Sequence, residues 1–258
     1  MNTVYESLKQ LKTYTTPWPH YEIHNIFDKE ICDWVNNFNF PSNEQIFSRK
    51  KNWFLSKRTE RIGAVGVKAF IAEYKQRYEA ARQAIWHKKT HPCEFIFGNE
   101  FLGTYPHARR VVDMFLDRDV ISFFESLENV CLNNSLLRIM LIKDIPGYSI
   151  PVHPDTDKKL FTLQCFMKTD VNKNKDLGTQ ICDENGNIVK RTIYEDNVGT
   201  FFFPRQEKTK DNIPTLHAFV DTPIDNYRIS IMVNYCKREE IMRDDVGNKL
   251  GYLIPVSL

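Results

Sequence analysis

Five residues of this 258-residue chain have types and spacing that suit a redox metal centre: His153, Asp155, His217, Arg228 and Ser230. His153 and Asp155 stand two apart in Ile150-Pro-Val-His-Pro-Asp-Thr156. Residues i and i+2 of an extended segment face the same side. Pro154, between them, favours extended backbone and opposes a helix. The pair can therefore converge on one cation, or it can be a solvated polar turn. His217, in Thr215-Leu-His-Ala-Phe-Val220, is a distant third donor. Two imidazoles and one carboxylate on one face make the triad that suits non-haem Fe(II), with three positions left open. Zinc is the competing metal, since the same donors serve hydrolases. Arg228 follows His217 by eleven residues, past the loop Asp221-Thr-Pro-Ile-Asp-Asn226, and shares a strand face with Ser230. A guanidinium grips a carboxylate through two parallel N–H···O bonds. An Arg-x-Ser pair beside the metal thus suits a dicarboxylate co-substrate, which a zinc hydrolase has no general need to hold.

These donors need strands to position them, and after Asn134 the chain supplies short β-type runs: 136–142, 160–167, 198–203, 216–220 and 227–235. Asp183-Glu-Asn-Gly-Asn187 reads as a hairpin turn, with Asn185-Gly186 able to supply positive φ angles. Short strands separated by Gly/Pro/Asn turns predict a β-sandwich or barrel. On the 160–167 strand, Thr162, Gln164 and Phe166 alternate onto the side expected to face the pocket. Before Asn134 the patterns are mostly helical. Residues 17–26 predict an opening strand, and Asp28 caps a helix over 30–38 with Ile31, Trp34 and Val35 on one side. Val67, Phe70, Tyr74, Tyr78, Ala81 and Ile85 recur at three- and four-residue steps, which predicts a helix over 67–86 with an apolar core face. Residues 110–132 predict one helix, or two joined near Asp117 to Asp119. The helices would buttress one sheet.

Composition sets limits. With 42% hydrophobic residues the chain can bury a sizeable core. A net charge of +2 makes no strong case for nucleic acid or an anionic membrane. The six cysteines are scattered with no CxxC pair, and no apolar N-terminal segment or membrane-length run is visible. The expectation is a cytoplasmic protein with reduced thiols.

His153-x-Asp155, His217 and Arg228-x-Ser230 together resemble the signature of the Fe(II)/2-oxoglutarate-dependent dioxygenases, in particular the prolyl 4-hydroxylase-like branch. The Pro146-Gly147 turn ahead of the first histidine, the run Gly199-Thr-Phe-Phe-Phe-Pro204 and the opening strand and capped helix are similar too. The resemblance has motif support over 136–236 and is looser over 17–40. It implies an α+β fold with a double-stranded β-helix, a distorted cupin-like jelly roll, buttressed by N-terminal helices. One domain is expected: a mainly helical support region over 1–134, the catalytic core over 135–240 and a tail over 241–258. By the same resemblance His153, Asp155 and His217 would hold Fe(II), and Arg228, assisted by Ser230, would hold the far carboxylate of 2-oxoglutarate. Dioxygen would be consumed, succinate and CO2 released, and a C–H bond hydroxylated. The carboxylate of Asp155 favours hydroxylation, because halogenating relatives lack it. Relatives often carry a tyrosine on the strand that lines the co-substrate site. This chain has Gln164 and Phe166 there, which moves any polar contact to Gln164 or Thr162. Collagen-type prolyl hydroxylases use a lysine where this chain has Arg228. Small molecules and peptides both suit as substrate, with peptidyl or free amino acids favoured by the resemblance.

Two rivals stand beside this reading: a metal-dependent hydrolase or isomerase on a cupin-like barrel, and a β-sandwich binding module whose His/Asp/His pattern is accidental. Other residues have bland alternatives. His20 and His24, and His87 and His91, are spaced for zinc on a helix, but Pro17, Pro19 and Pro92 oppose helices there. Arg138, inside an apolar run, needs a partner, either a structural carboxylate or a substrate. Tyr148 reaches either the pocket mouth or the core. Trp53 sits in a basic stretch, and 170–176 is a polar loop of the kind that can serve as a lid.

Overall fold

The β-type runs after Asn134 form antiparallel strands, and three strands from earlier in the chain join them. The computed structural model describes residues 3–42, 93–144, 150–172, 177–205, 213–219, 227–238 and 254–256. Among these, the strands are β1 (Lys12–Tyr14), β2 (His20–His24), β3 (Cys93–Ile96), β4 (Leu136–Asp144), β5 (Ile150–His153), β6 (Lys159–Met167), β7 (Gln180–Cys182), β8 (Ile188–Arg191), β9 (Val198–Phe202), β10 (His217–Phe219), β11 (Arg228–Cys236) and β12 (Ile254–Pro255). The helices are α1 (Thr3–Leu8), α2 (Lys29–Asn36), α3 (Asn99–Thr104), α4 (Pro106–Leu116) and α5 (Arg118–Leu127). The architecture is α+β with two antiparallel sheets. The large sheet runs β1-β2-β9-β6-β11-β4-β12, with β3 also on β4, and the small sheet runs β5-β10-β7-β8.

Side chains alternate across a strand, and the large sheet uses both faces. Phe161, Leu163, Cys165 and Met167 of β6 join Ile229, Ile231, Val233 and Tyr235 of β11 and Leu137, Ile139 and Leu141 of β4 in one apolar cluster. That cluster includes Ile31 and Val35 of α2, Val111, Val112 and Phe115 of α4, and Val120, Ile121 and Phe124 of α5. Burying one such side chain is worth about 1.5–3 kcal/mol, so this layer carries most of the fold's stability. Tyr235 spans it and donates its hydroxyl hydrogen to the Phe115 carbonyl.

Local signals explain the helix ends. Asp28 accepts from the Ile31 amide at 3.0 Å and caps α2. Arg110 then pairs with Asp28 and Glu30, tying α4 to α2. The helical stretch over 110–132 proves to be two helices: Asp117 has extended backbone and caps α5 through the Asp119 and Val120 amides. In the β7–β8 turn the Asp183 carboxylate accepts from the Asn185 and Asn187 amides. Only Gly186 takes a positive φ there, at 84°, and Asn185 does not. The Asp183 side chain organises the turn, so one left-handed residue suffices. The 67–86 helix, Trp53, the His87/His91 pair, Pro146-Gly147, Tyr148 and most of the 170–176 loop lie outside the described residues.

The other face of the large sheet and the inner face of the small sheet enclose a cavity of about 350 Å³. Trp18, fully buried, packs behind the lining residues Ile181 and Phe202 and donates its indole N–H to the Cys182 carbonyl at 3.0 Å.

Candidate metal centre

Antiparallel pairing of β5 with β10 sets His153 directly opposite His217. Their rings lie 4.5 Å apart between centroids. β5 ends at His153, and Asp155 sits just past it, after Pro154. One ligand atom from each of His153, Asp155 and His217 lies within 4.8 Å of the others. Donors on one ion at about 2.1 Å sit roughly 3 Å apart, so the three close onto a cation with about 1 Å of side-chain adjustment. Among the described residues no other group of three such side chains forms.

The surroundings fix donor orientation and protonation. A carbonyl only accepts, so the 3.0 Å contact of His217 Nδ1 with the Thr215 carbonyl puts the hydrogen on Nδ1 and leaves Nε2 as the ligand atom. Burial lowers the His217 pKa against the pull of Asp155, which favours the neutral, ligating imidazole. Asp155 is only 6% exposed. Burial alone would raise its pKa, but Lys159, His217 and Thr162 together hold it well below the usual carboxylate range. Lys159 donates to Oδ1 at 2.6 Å and Thr162 to Oδ2 at 2.6 Å. Asn234 in turn donates to the Thr162 hydroxyl at 3.0 Å. These are the supports that metal-ligating carboxylates carry in their outer shell. The donor set, its burial and its protonation therefore fit a divalent transition metal.

Arg228 lines the same cavity and is 2% exposed. Its guanidinium is stacked 3.4 Å above the centre of the Phe219 ring. It is also ion-paired: Nε and Nη2 donate to Asp144 Oδ2 at 3.0 and 2.7 Å, and Nη1 donates to the Leu177 carbonyl at 3.1 Å. Among the described residues three of the five N–H donors are used and two remain. Ser230 Oγ accepts from Gln164 Nε2 at 3.3 Å, and Gln164 Oε1 accepts from Thr179 at 2.8 Å. Gly178 permits this chain, since a Cβ there would lie 1.9 Å from the Thr192 carbonyl oxygen.

Six of the seven residues singled out for the site line one cavity, and Ser230, fully buried, sits behind its wall against Gln164. Thr162, Gln164 and Phe166 do share its face, but Thr162 is committed to Asp155, while Gln164 braces Ser230. The sequence reading missed Lys159, Thr179 and Asp144. Lys159 stands four residues after Asp155, a spacing open to inspection. Asp144 is 84 residues from Arg228 and becomes its cross-strand partner only through the β4–β11 register. His20 and His24 lie on a strand and face other partners: His20 Nδ1 donates to the Trp18 carbonyl, and His24 meets Glu22 at 2.7 Å.

No family model matches the chain, and no curated protein matches it by sequence. Solved structures do. A prolyl hydroxylase from Trichoplax adhaerens, in complex with a hypoxia inducible factor peptide fragment, is 12% identical over 95% of this chain and 92% of its own, with a TM-score of 0.45. A prolyl 4-hydroxylase from Phytophthora capsici is 9% identical over 97% and 71%, with a TM-score of 0.44. A 2OG-Fe(II) oxygenase family protein from Burkholderia pseudomallei is 13% identical over 51% of this chain, with a TM-score of 0.36, and only 57% of its length is spanned. The structural neighbours are thus 2OG-Fe(II) oxygenases and prolyl hydroxylases. With TM-scores below 0.5 they carry no weight for activity; the donor geometry does.

Proposed function

We propose that this chain is an Fe(II)- and 2-oxoglutarate-dependent oxygenase that hydroxylates a C–H bond of an amino-acid or peptidyl substrate. The observation that carries the reading is the convergence of His153, Asp155 and His217 in one cavity with Arg228. Under this reading the two facing sheets are the double-stranded β-helix, formed by 135–240 with support from 1–134. His153 Nε2 or Nδ1, the Asp155 carboxylate and His217 Nε2 would hold the iron. The two remaining N–H donors of Arg228 and the Ser230 hydroxyl hydrogen would hold the far carboxylate of 2-oxoglutarate. Bound there, iron and 2-oxoglutarate supply the oxidising power: dioxygen converts the keto acid to succinate and CO2, and its second oxygen atom enters the substrate.

The chain's own residues position and protect. Lys159 and Thr162 keep Asp155 ionised and fixed. Asp144 and Phe219 hold the guanidinium plane still, so little rotamer freedom is lost when a carboxylate arrives. Asp144 also offsets the arginine charge, which sets the co-substrate's grip below that of a free guanidinium. Phe202, 5.1 Å from His217 between ring centres, shields the donors from water. A cytoplasmic setting accords with six free thiols and, among the described residues, no helix long and apolar enough to cross a membrane.

The test is conversion of 2-oxoglutarate to succinate. It should require Fe(II), fail with Zn(II) and be lost in His153→Ala. Turnover of a hydrolysable substrate with Zn(II) and indifference to 2-oxoglutarate would favour the hydrolase rival.

A further inference from the structure

The cavity has a second arginine, and it differs from the first. Arg138, Asn234, Thr162 and Phe202 form one cross-strand row over β4, β11, β6 and β9. Arg138 stands six residues from Asp144 along β4, roughly 20 Å by strand rise. It therefore marks the end of the cavity away from Arg228. Arg138 lines the cavity but makes no hydrogen bond or ion pair among the described residues. The cavity's other cations are taken: Arg228 by Asp144, and Lys159 by Asp155. Glu94, the remaining carboxylate on this wall, sits opposite Ile142, four residues up the strand from Arg138.

Beside Arg138 lies an unsatisfied acceptor. Asn234 is 0% exposed, its Nδ2 donates to Thr162, and its Oδ1 has no partner among the described residues. Buried polar groups are satisfied in the great majority of cases, so each exception calls for an explanation, and a ligand in the cavity would supply one here. A partly buried guanidinium has the same need for a carboxylate. The two unmet needs are opposite in kind, anion for Arg138 and N–H for Asn234. Cross-strand neighbours have Cβ atoms about 5 Å apart, close enough for one small molecule to touch both. Asn234 is also two hydrogen bonds from Asp155, through Thr162.

We propose that Arg138 and Asn234 form the substrate-anchoring subsite, and that the substrate carries a carboxylate with a neighbouring N–H donor. This is the pattern of an α-amino acid, free or as the last residue of a peptide. The inference rests on the oxygenase reading and names its substrate class. Arg228 takes the co-substrate's carboxylate at one end of the cavity, and Arg138 takes the substrate's at the other, with the metal donors between them and nearer Arg138.

The test is anaerobic titration calorimetry on the full chain with Fe(II) and 2-oxoglutarate. The probes are the twenty L-amino acids, their N-acetyl forms and short peptides, each with a free and an amidated carboxyl terminus. At least one free-acid compound should bind ten-fold or more tightly than its amide. Whether that compound is an amino acid or a peptide identifies the source. Arg138→Gln should bring the acid-to-amide ratio near one while 2-oxoglutarate still binds, and Arg138→Lys should restore part of it. A structural role for Arg138 would weaken acid and amide alike. A ratio near one for every pair in the unaltered protein overturns the proposal, whatever the variants do. Failure of 2-oxoglutarate itself to bind overturns the oxygenase reading instead, and the two failures are separately visible.

Discussion

Along β6, Phe161, Leu163, Cys165 and Met167 point to the helices, while Thr162, Gln164 and Phe166 point into the cavity. β11 repeats the division, with Ile229, Ile231, Val233 and Tyr235 against Arg228, Met232 and Asn234. The helix-covered face is almost wholly apolar and interlocked through rings, as where Phe124 and Phe161 sit 4.5 Å apart. The cavity face carries hydroxyls, amides and charges. The two-residue period lets one set of strands do both jobs. Burial on the helix side stabilises the sheet enough for its other side to hold polar groups in fixed positions. Function and stability should therefore separate by residue parity.

The largest effect expected is His217→Ala. It should weaken Fe(II) binding by more than about 100-fold, beyond what loss of an outer support costs, and leave the unfolding midpoint nearly unchanged. Calorimetric metal titration beside a denaturant curve measures both. Phe161→Ala inverts this: about 3–5 kcal/mol of stability should be lost, with metal affinity of the folded protein preserved. Asp144→Ala is the case that tests the division hardest. It lies on the cavity face, yet it removes half of a buried ion pair and should cost about 3–5 kcal/mol. A silent Asp144→Ala would show that Arg228 is held by Phe219 and Leu177 alone. Thr162→Val should lower metal affinity by about 10–100-fold with little change in the urea midpoint. Smallest is Asp117→Ala, which removes the α5 cap, costs about 1 kcal/mol and should leave the metal site untouched.

The parity itself was legible in the sequence, because alternation of apolar and polar residues survives in any strand of known start. So were the Asp28 cap and the break at Asp117, which depend on neighbours a few residues away. The metal donors were legible as types and spacing, since His153 and Asp155 are local and His217 lies on a strand-like run. What stayed hidden depends on register between distant strands. Nothing in positions 144 and 228 announces that β4 and β11 pair them. The same holds for Asn234 beside Arg138, where the sequence left a structural ion pair and a substrate contact as equal choices. The 183–187 turn shows the reverse. It is closed by its own Asp183 carboxylate, so local chemistry suffices to read it.

Binding of iron and a keto acid side by side, on three donors and a guanidinium, has a spectroscopic signature. Under nitrogen, adding Fe(II) and 2-oxoglutarate to the purified protein should give the weak visible absorption of a chelated keto acid. That absorption should be absent in His153→Ala and strongly reduced in Arg228→Ala. Full metal loading with no such absorption, or an unchanged band in Arg228→Ala, would contradict the account.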